Sequence, residues 1–241
     1  MSDTDPMEQL LAVQAHDTRA TQLQARRRTL PERSEAVEVA DAIRAADQRA
    51  EVVEAERHRL DRDQARIDDE VAGLRERSGQ ADKALYSGSV TNPRELQALQ
   101  DEVASLGRRI GELEDQELEM MVEREPFDEE ASTLAARRTE LAARADDVAS
   151  RLTVAEAEID AELEAEATAR AEAARQVPDD LLAEYEGLRA DLDGVGVARL
   201  EHGSTCGGCH MKLSAVEADR IKGLPADARI HCEDCGRLLV R

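Results

Sequence analysis

Leu99, Leu106, Leu113, Met120, Phe127, Leu134, Leu141, Val148 and Ala155 stand seven residues apart without a gap. A helix that repeats an apolar residue every seven positions keeps one seam turned to one side, and burying that seam requires a second helix. The companion positions are Leu96, Val103, Ile110, Glu117, Arg124, Ala131, Arg138, Ala145, Leu152 and Ile159, apolar except for three charged members. The phase survives Pro126, which predicts a kink or loosened turn there rather than a stop.

The first half carries the matching pattern. Ala46, Val53, Leu60, Ile67, Leu74 and Ala81 form one register, and Ile43, Ala50, Arg57, Gln64, Val71, Ser78 and Leu85 form its companion. Before them, Met7, Leu10, Leu11, Leu23, Leu30 and Val37 are apolar in a less regular phase, with Pro31 expected to bend or interrupt the helix. The polar members Arg57, Gln64, Glu117, Arg124 and Arg138 are read as devices that set register.

Between the halves, Gly88 and its Ser/Thr neighbours break the helix. Asn92 is placed to cap the next one, Pro93 suits its first position, and Glu95 is placed to reach back. So short a connection joins antiparallel neighbours. The expected fold is mainly α: a long antiparallel coiled-coil helical hairpin over residues 1–176, turning near 86–92. A short helix and a small β zinc ribbon over 177–241 follow. Pro178, Asp179 and Asp180 suit the first turn of that short helix, and Gly194 and Gly196 end it. Strand character is expected at 195–200, 210–213, 229–231 and 237–240, with a short helix or loop at 214–224.

The ribbon rests on four cysteines, the only ones in the chain: Cys206-Gly-Gly-Cys209 and Cys232-Glu-Asp-Cys235. A two-residue gap turns both sulfurs of a pair toward one point, and a second pair completes a tetrahedron around one Zn²⁺. With four thiolates in place no position is left for a catalytic water, so the metal is expected to be structural. Three other uses of these residues are weaker. A rubredoxin-like iron site packs aromatics around its metal, and residues 190–241 contain none. Cys206 to His210 also reads as a c-type haem attachment motif, which would strand the second pair. Thioredoxin-like chemistry needs a Cys-x-x-Cys opening a helix of a βαβ unit. His210 and His231 are expected on strands beside the metal turns.

Composition agrees with long helices and argues against an ordinary globular core. Charged residues make up 36% of the chain and aromatics 1%. The net charge of −22 is uneven: residues 196–241 hold seven Lys/Arg against six Asp/Glu, which leaves −23 on residues 1–195. Such a body repels nucleic acid, so any phosphate contact falls to the tail. The opening residues are polar and acidic without a secretory pattern, and no run of 18 apolar residues occurs. The expectation is a cytoplasmic protein without a membrane span, where reduced thiols favour metal over disulfides.

Three segments resemble a known family: YSGSVTNPRELQALQDEV at 86–103, VPDDLLAEYEGLR at 177–189, and CGGCHMKL at 206–213 together with IHCEDCGRLLV at 230–240. Together they are similar to the bacterial C4-type zinc-ribbon proteins with a long N-terminal coiled coil. The chain ends Leu-Leu-Val-Arg where many of those proteins end in an Ile-Leu-Tyr pattern. The resemblance implies Cys206, Cys209, Cys232 and Cys235 as zinc ligands and a hairpin that docks partners. It further implies an adaptor or chaperone-like role around transcription or secretion machinery, with nucleic-acid binding proposed for the ribbon.

The expected function is therefore a non-enzymatic adaptor that binds protein partners; the alternative is a nucleic-acid-binding protein acting through the ribbon. Candidate contact residues are Lys212, Arg220, Lys222 and Arg237 in the tail, and Tyr86 and Asn92 at the hairpin turn. Exposed apolar heptad stripes would also allow homodimers. No nucleophile–base set, phosphate loop or distinctive carboxylate pair stands out.

Overall fold

A computed structural model of the chain describes residues 5–225 and 228–241; the first four residues of the polar opening segment lie outside the described residues. Helix α1 (Pro6–Arg28), α2 (Pro31–Tyr86), α3 (Pro93–Ala174) and α4 (Asp179–Asp191) are followed by β1 (Val197–Glu201), β2 (Thr205–Cys206), α5 (Ala215–Gly223) and β3 (Leu238–Val240). This is the expected long helical hairpin with a small sheet at its C-terminal end. The chain forms two compact units: Glu35–Val148, and Met1–Ser34 joined with Ala149–Arg241.

In the first unit α2 and α3 pair antiparallel. Ala46, Val53, Leu60, Ile67 and Ala81 of one register are buried, as are Leu106, Leu113, Leu141 and Val148 of α3. Polar seam residues cross to the other helix: Arg57 Nε donates to Asp128 at 2.7 Å, Arg138 pairs with Asp47 at 2.6 Å, and Arg124 pairs with Asp61. Outside the seam, Arg49 forks onto both oxygens of Glu130 at 2.6 Å, and Arg109 reaches Glu70 at 2.9 Å. Each pair brackets the turn nearly symmetrically, so one alignment satisfies all of them. Exposed pairs of this kind contribute about 0–1 kcal/mol each, which makes them better at selecting register than at adding stability.

At the turn, Ser87 Oγ caps the end of α2 by donating to the Ala84 carbonyl, and Gly88 takes φ = 73°, a left-handed conformation open to glycine. Asn92 Oδ1 accepts from the Arg94 N–H at 3.0 Å. Pro126 lies inside an unbroken α3, whereas α1 ends before Pro31 and α2 starts on it. The difference follows from context. Proline at a first helical position gives up an N–H that has no partner there, and α3 is held in phase on both sides of Pro126 by the seam.

The second unit is built around α1. Leu23 and Leu30 pack on Ile159 of α3, and His16 meets Glu166 at 2.6 Å. Nearer the start, Met7, Leu10 and Val13 pack with Val177, Leu181 and Tyr185, and with Val197, Leu238 and Val240 of the sheet. The irregular apolar phase seen in the sequence thus serves an α1 that meets α4 and β-structure, not only a coiled-coil partner. Val37, counted with that set, is 61% exposed.

The sheet has the order β2-β1-β3, with β1 antiparallel to β2 and parallel to β3. A parallel pair needs a long crossover, and the chain from 202 to 237, including α5, supplies it. Two expected strands reduce to single bridges: Lys212 pairs with Thr205, and His231 with Leu238. The metal turns occupy those stretches and leave no room for a ladder.

Candidate metal centre

The two Cys-x-x-Cys segments fold as copies of one turn. In the first, the Cys206 N–H donates to the Met211 carbonyl at 3.0 Å, and the His210 N–H returns to the Cys206 carbonyl at 2.8 Å. In the second, the Cys232 N–H donates to the Arg237 carbonyl at 2.9 Å, and the Gly236 N–H returns to the Cys232 carbonyl at 2.8 Å. The residue after each second cysteine is left-handed, with φ of 61° at His210 and 75° at Gly236. His210 is therefore an exposed turn residue rather than a strand residue, and it stands where the other turn uses glycine.

The four Sγ atoms lie within 4.8 Å of one another, with Cys206 to Cys235 at 3.9 Å and Cys209 to Cys232 at 3.8 Å. A tetrahedron with Zn–S of about 2.3 Å has edges of about 3.8 Å, whereas a disulfide would bring two sulfurs to about 2.0 Å. The cluster fits one structural Zn²⁺, and all four donors are sulfur. Cys206 and Cys232 are buried, the other two partly so. Leu200, Leu213, Ile221, Ile230 and Leu239 form the small apolar core around them.

Electrostatics separate the thiols. Burial pushes Cys232 up to about 12, despite hydrogen bonds from the backbone of Cys235 and Asp234. Burial also raises Cys209. At Cys235 burial is outweighed by hydrogen bonds from the Arg237 backbone and side chain, with help from Cys209 and Cys232, and the thiol falls to about 7. The second sulfur of each turn receives a hydrogen bond from the backbone two residues on, Met211 or Arg237.

Arg237 thus faces the metal cluster. Its Nε donates to the Val195 carbonyl at 2.9 Å and its Nη2 to the Leu192 carbonyl at 3.1 Å. A side chain on Gly208 would meet the Arg237 Cδ at 2.5 Å, so glycine at 208 lets the guanidinium cross the first turn. Arg220 forks onto Glu217 and Lys222 pairs with Asp219 at 3.0 Å, both within α5. Arg199 holds Glu8, Arg229 holds Asp180 and Glu184, and Arg241 donates to carbonyls of Ile221 and Leu224. Of the tail's seven basic side chains, Lys212 is the one left exposed and unpaired among the described residues. At the hairpin turn, Asn92 acts as a helix cap, and Tyr86 is 83% exposed.

Sequence reasoning missed the residues that tie the ribbon to α1. Gln14, buried, accepts from the Gly196 N–H at 2.8 Å through Oε1 and donates to the Gly194 carbonyl at 3.0 Å through Nε2. Gly196 permits this close packing, since a Cβ there would lie 2.8 Å from the Tyr185 carbonyl oxygen. Asp17, also buried, accepts from the Tyr185 hydroxyl and from Arg170.

A paired helical hairpin with a four-thiolate ribbon defines a class of zinc-ribbon coiled-coil proteins. The model of the CT398-like coiled coil hairpin domain matches residues 13–193, and that of the C4-type zinc ribbon domain matches residues 205–239. The chain belongs to the CT398-like coiled-coil hairpin family. It is 31% identical over 234 residues to the uncharacterized protein Rv2229c of Mycobacterium tuberculosis, covering 96% of this chain and 94% of that one. A solved structure from Mycobacterium smegmatis superposes with a TM-score of 0.88 at 25% identity, covering 98% of this chain and 97% of its own. CT398 from Chlamydia trachomatis gives 0.71 at 17% identity with the same coverage, a likeness of fold. This architecture supports a non-catalytic structural or adaptor role. No helix among the described residues is long and apolar enough to cross a membrane.

Proposed function

We propose that the protein is a non-enzymatic adaptor or chaperone-like protein of the cytoplasm, whose hairpin and ribbon present surfaces to protein partners in transcription or secretion machinery. Cys206, Cys209, Cys232 and Cys235 are its zinc ligands in this reading. The observation that carries it is the closed, all-sulfur donor set: a filled tetrahedron holds shape and offers no site for a reacting oxygen. What remains for function is surface, and Tyr86 at the hairpin turn and Lys212 on the ribbon are the contact residues left uncommitted.

Nucleic-acid binding through the ribbon draws less support. Arg220, Lys222 and Arg237 were its other basic candidates, and their charges are already engaged within the protein. No aromatic residue lies on the ribbon to stack a base.

The test is affinity capture from the native host with the full chain, a Cys232→Ser/Cys235→Ser variant and a Tyr86→Ala variant. The adaptor reading expects one defined protein in nuclease-treated extracts, recovered in reduced amount with at least one variant. Capture of nucleic acid that the cysteine variant abolishes, and that falls steeply with salt, would contradict it in favour of the alternative.

A further inference from the structure

We propose that the outer face of α3 around Met121 is a docking stripe for a basic amphipathic helix of a partner protein; the proposal rests on the adaptor reading and names the chemistry of one partner segment.

Leu118, Met121 and Val122 are 60%, 54% and 69% exposed. Their i, i+3, i+4 spacing puts them on one face, while Leu113 and Met120 pack with Ile67 and Val71 of α2. They line a shallow groove of about 740 Å³ with Gln64, Arg124, Glu125, Asp128 and Glu129; the one cation of the lining, Arg124, is held by Asp61 and Asp128. Other exposed large apolar residues of the helices, such as Val37, Val52 and Val154, stand singly. Single exposed apolar residues are ordinary, whereas a contiguous group with a polar rim marks an interaction surface.

The rim is acidic and uncommitted. Asp115, Glu119, Glu125 and Glu129 are exposed and lie within a helical turn or two of the stripe. None of the four has an ion pair among the described residues. Their neighbours differ: Glu114 pairs with Arg75, Glu123 with Arg59, and Asp128 with Arg57 and Arg124. Unpaired carboxylates occur elsewhere on the helices, Glu38, Asp68, Asp82 and Glu158 among them; what sets these four apart is their place beside three contiguous exposed apolar residues. Pro126 adds a further acceptor, because it has no N–H to give the Val122 carbonyl its helical partner. The surface is therefore apolar in the middle and rich in acceptors at its edge.

Charge selects the occupant. A helix with apolar residues at i, i+3, i+4 and i+7 and Lys or Arg on both flanks satisfies the stripe and its rim together. A second copy of this chain does not: a two-fold contact through the stripe sets the same carboxylates against one another, on chains of net charge −22.

The test uses the full-length, zinc-loaded protein with ¹³C-labelled methionine methyls. The probe is a synthetic 18-residue helical peptide with a leucine stripe flanked by lysines, and its control has glutamates in place of the lysines. The expected result is a shift of the Met121 methyl with the lysine peptide while Met7 and Met211 stay in place. The glutamate peptide should bind at least ~10-fold more weakly at low salt. A Leu118→Gln/Val122→Gln variant, altered only at exposed positions, should lose the Met121 response by a similar factor.

Equal binding of both peptides, or no Met121 shift, overturns the proposal. So does peptide-free self-association that the double variant abolishes, because the occupant is then a second copy. A shift at Met211 alone also overturns the stripe but leaves the adaptor reading standing. That reading is decided separately by capture of its native partner.

Discussion

The Tyr185 hydroxyl donates to Asp17 Oδ2 at 2.7 Å, joining α4 to α1 across 168 positions of sequence. The other oxygen of Asp17 accepts from Arg170 Nε at 2.7 Å and lies 3.3 Å from Arg189. Arg170 and Arg189 also share Glu186. A carboxylate 5% exposed thus accepts hydrogen bonds from Tyr185 and Arg170 and forms an ion pair with Arg189, three partners from α3 and α4. Asp17→Asn removes the charge and leaves two guanidinium groups facing a neutral amide. The expected loss is about 3 kcal/mol, read from urea unfolding of the zinc-loaded protein. A loss below about 1 kcal/mol would mean that the cluster does not anchor α1.

The same pair gives a pH signature. Burial and the bond to Asp17 raise the Tyr185 pKa above its ordinary value. A group raised in the folded state contributes stability that is present in full below the unfolded pKa and lost as pH climbs above it. Stability should therefore fall from about pH 10 upward, where tyrosine in the unfolded chain ionises. Tyr185→Phe removes that component. It should cost about 1 kcal/mol at pH 7, and its gap from the parent should narrow as pH rises beyond 10. A gap that does not change with pH would contradict this assignment.

His210 occupies a left-handed position that the second metal turn gives to Gly236. A side chain there costs roughly 1 kcal/mol relative to glycine, and His210 is exposed. His210→Gly should raise the ribbon's resistance to a competing chelator and leave zinc content unchanged. Loss of zinc in this variant would show that the imidazole takes part in binding.

Metal uptake should release protons in a predictable number. Thiolates are the ligands, and burial holds Cys232 and Cys209 in their thiol forms at neutral pH, with Cys235 near 7. Loading the metal-free protein with Zn²⁺ at pH 7 should release at least two protons per ion, measured by calorimetry in buffers of different ionisation enthalpy. Acidification should favour metal loss. Release of fewer than two protons would mean that the thiols are already ionised before binding.

The features legible in the sequence were those with a period or a fixed spacing. The seven-residue repeat specified both arms of the hairpin. The turn chemistry at Gly88 and Asn92 placed the reversal, and the doubled Cys-x-x-Cys announced the metal cluster. Gln14 and Asp17 have no such mark. Each is one polar residue in a chain full of them, and the partners through which it ties α1 to α3, α4 and the ribbon lie more than 150 positions away. The basic tail was misleading for a related reason. Counting charges locates Arg199, Arg229 and Arg237, but only folding sets them against Glu8, Glu184 and the carbonyls of Leu192 and Val195. Strands as short as β2 and β3 take their shape from the metal turns and leave little propensity signal of their own.

Metal analysis combined with X-ray absorption at the zinc edge tests the central claim most directly. The account predicts one zinc per chain in a shell of four sulfurs at about 2.3 Å, with binding abolished in the Cys232→Ser/Cys235→Ser variant. A nitrogen or oxygen in the first shell, or a purified chain whose cysteines are joined as disulfides without metal, would contradict it.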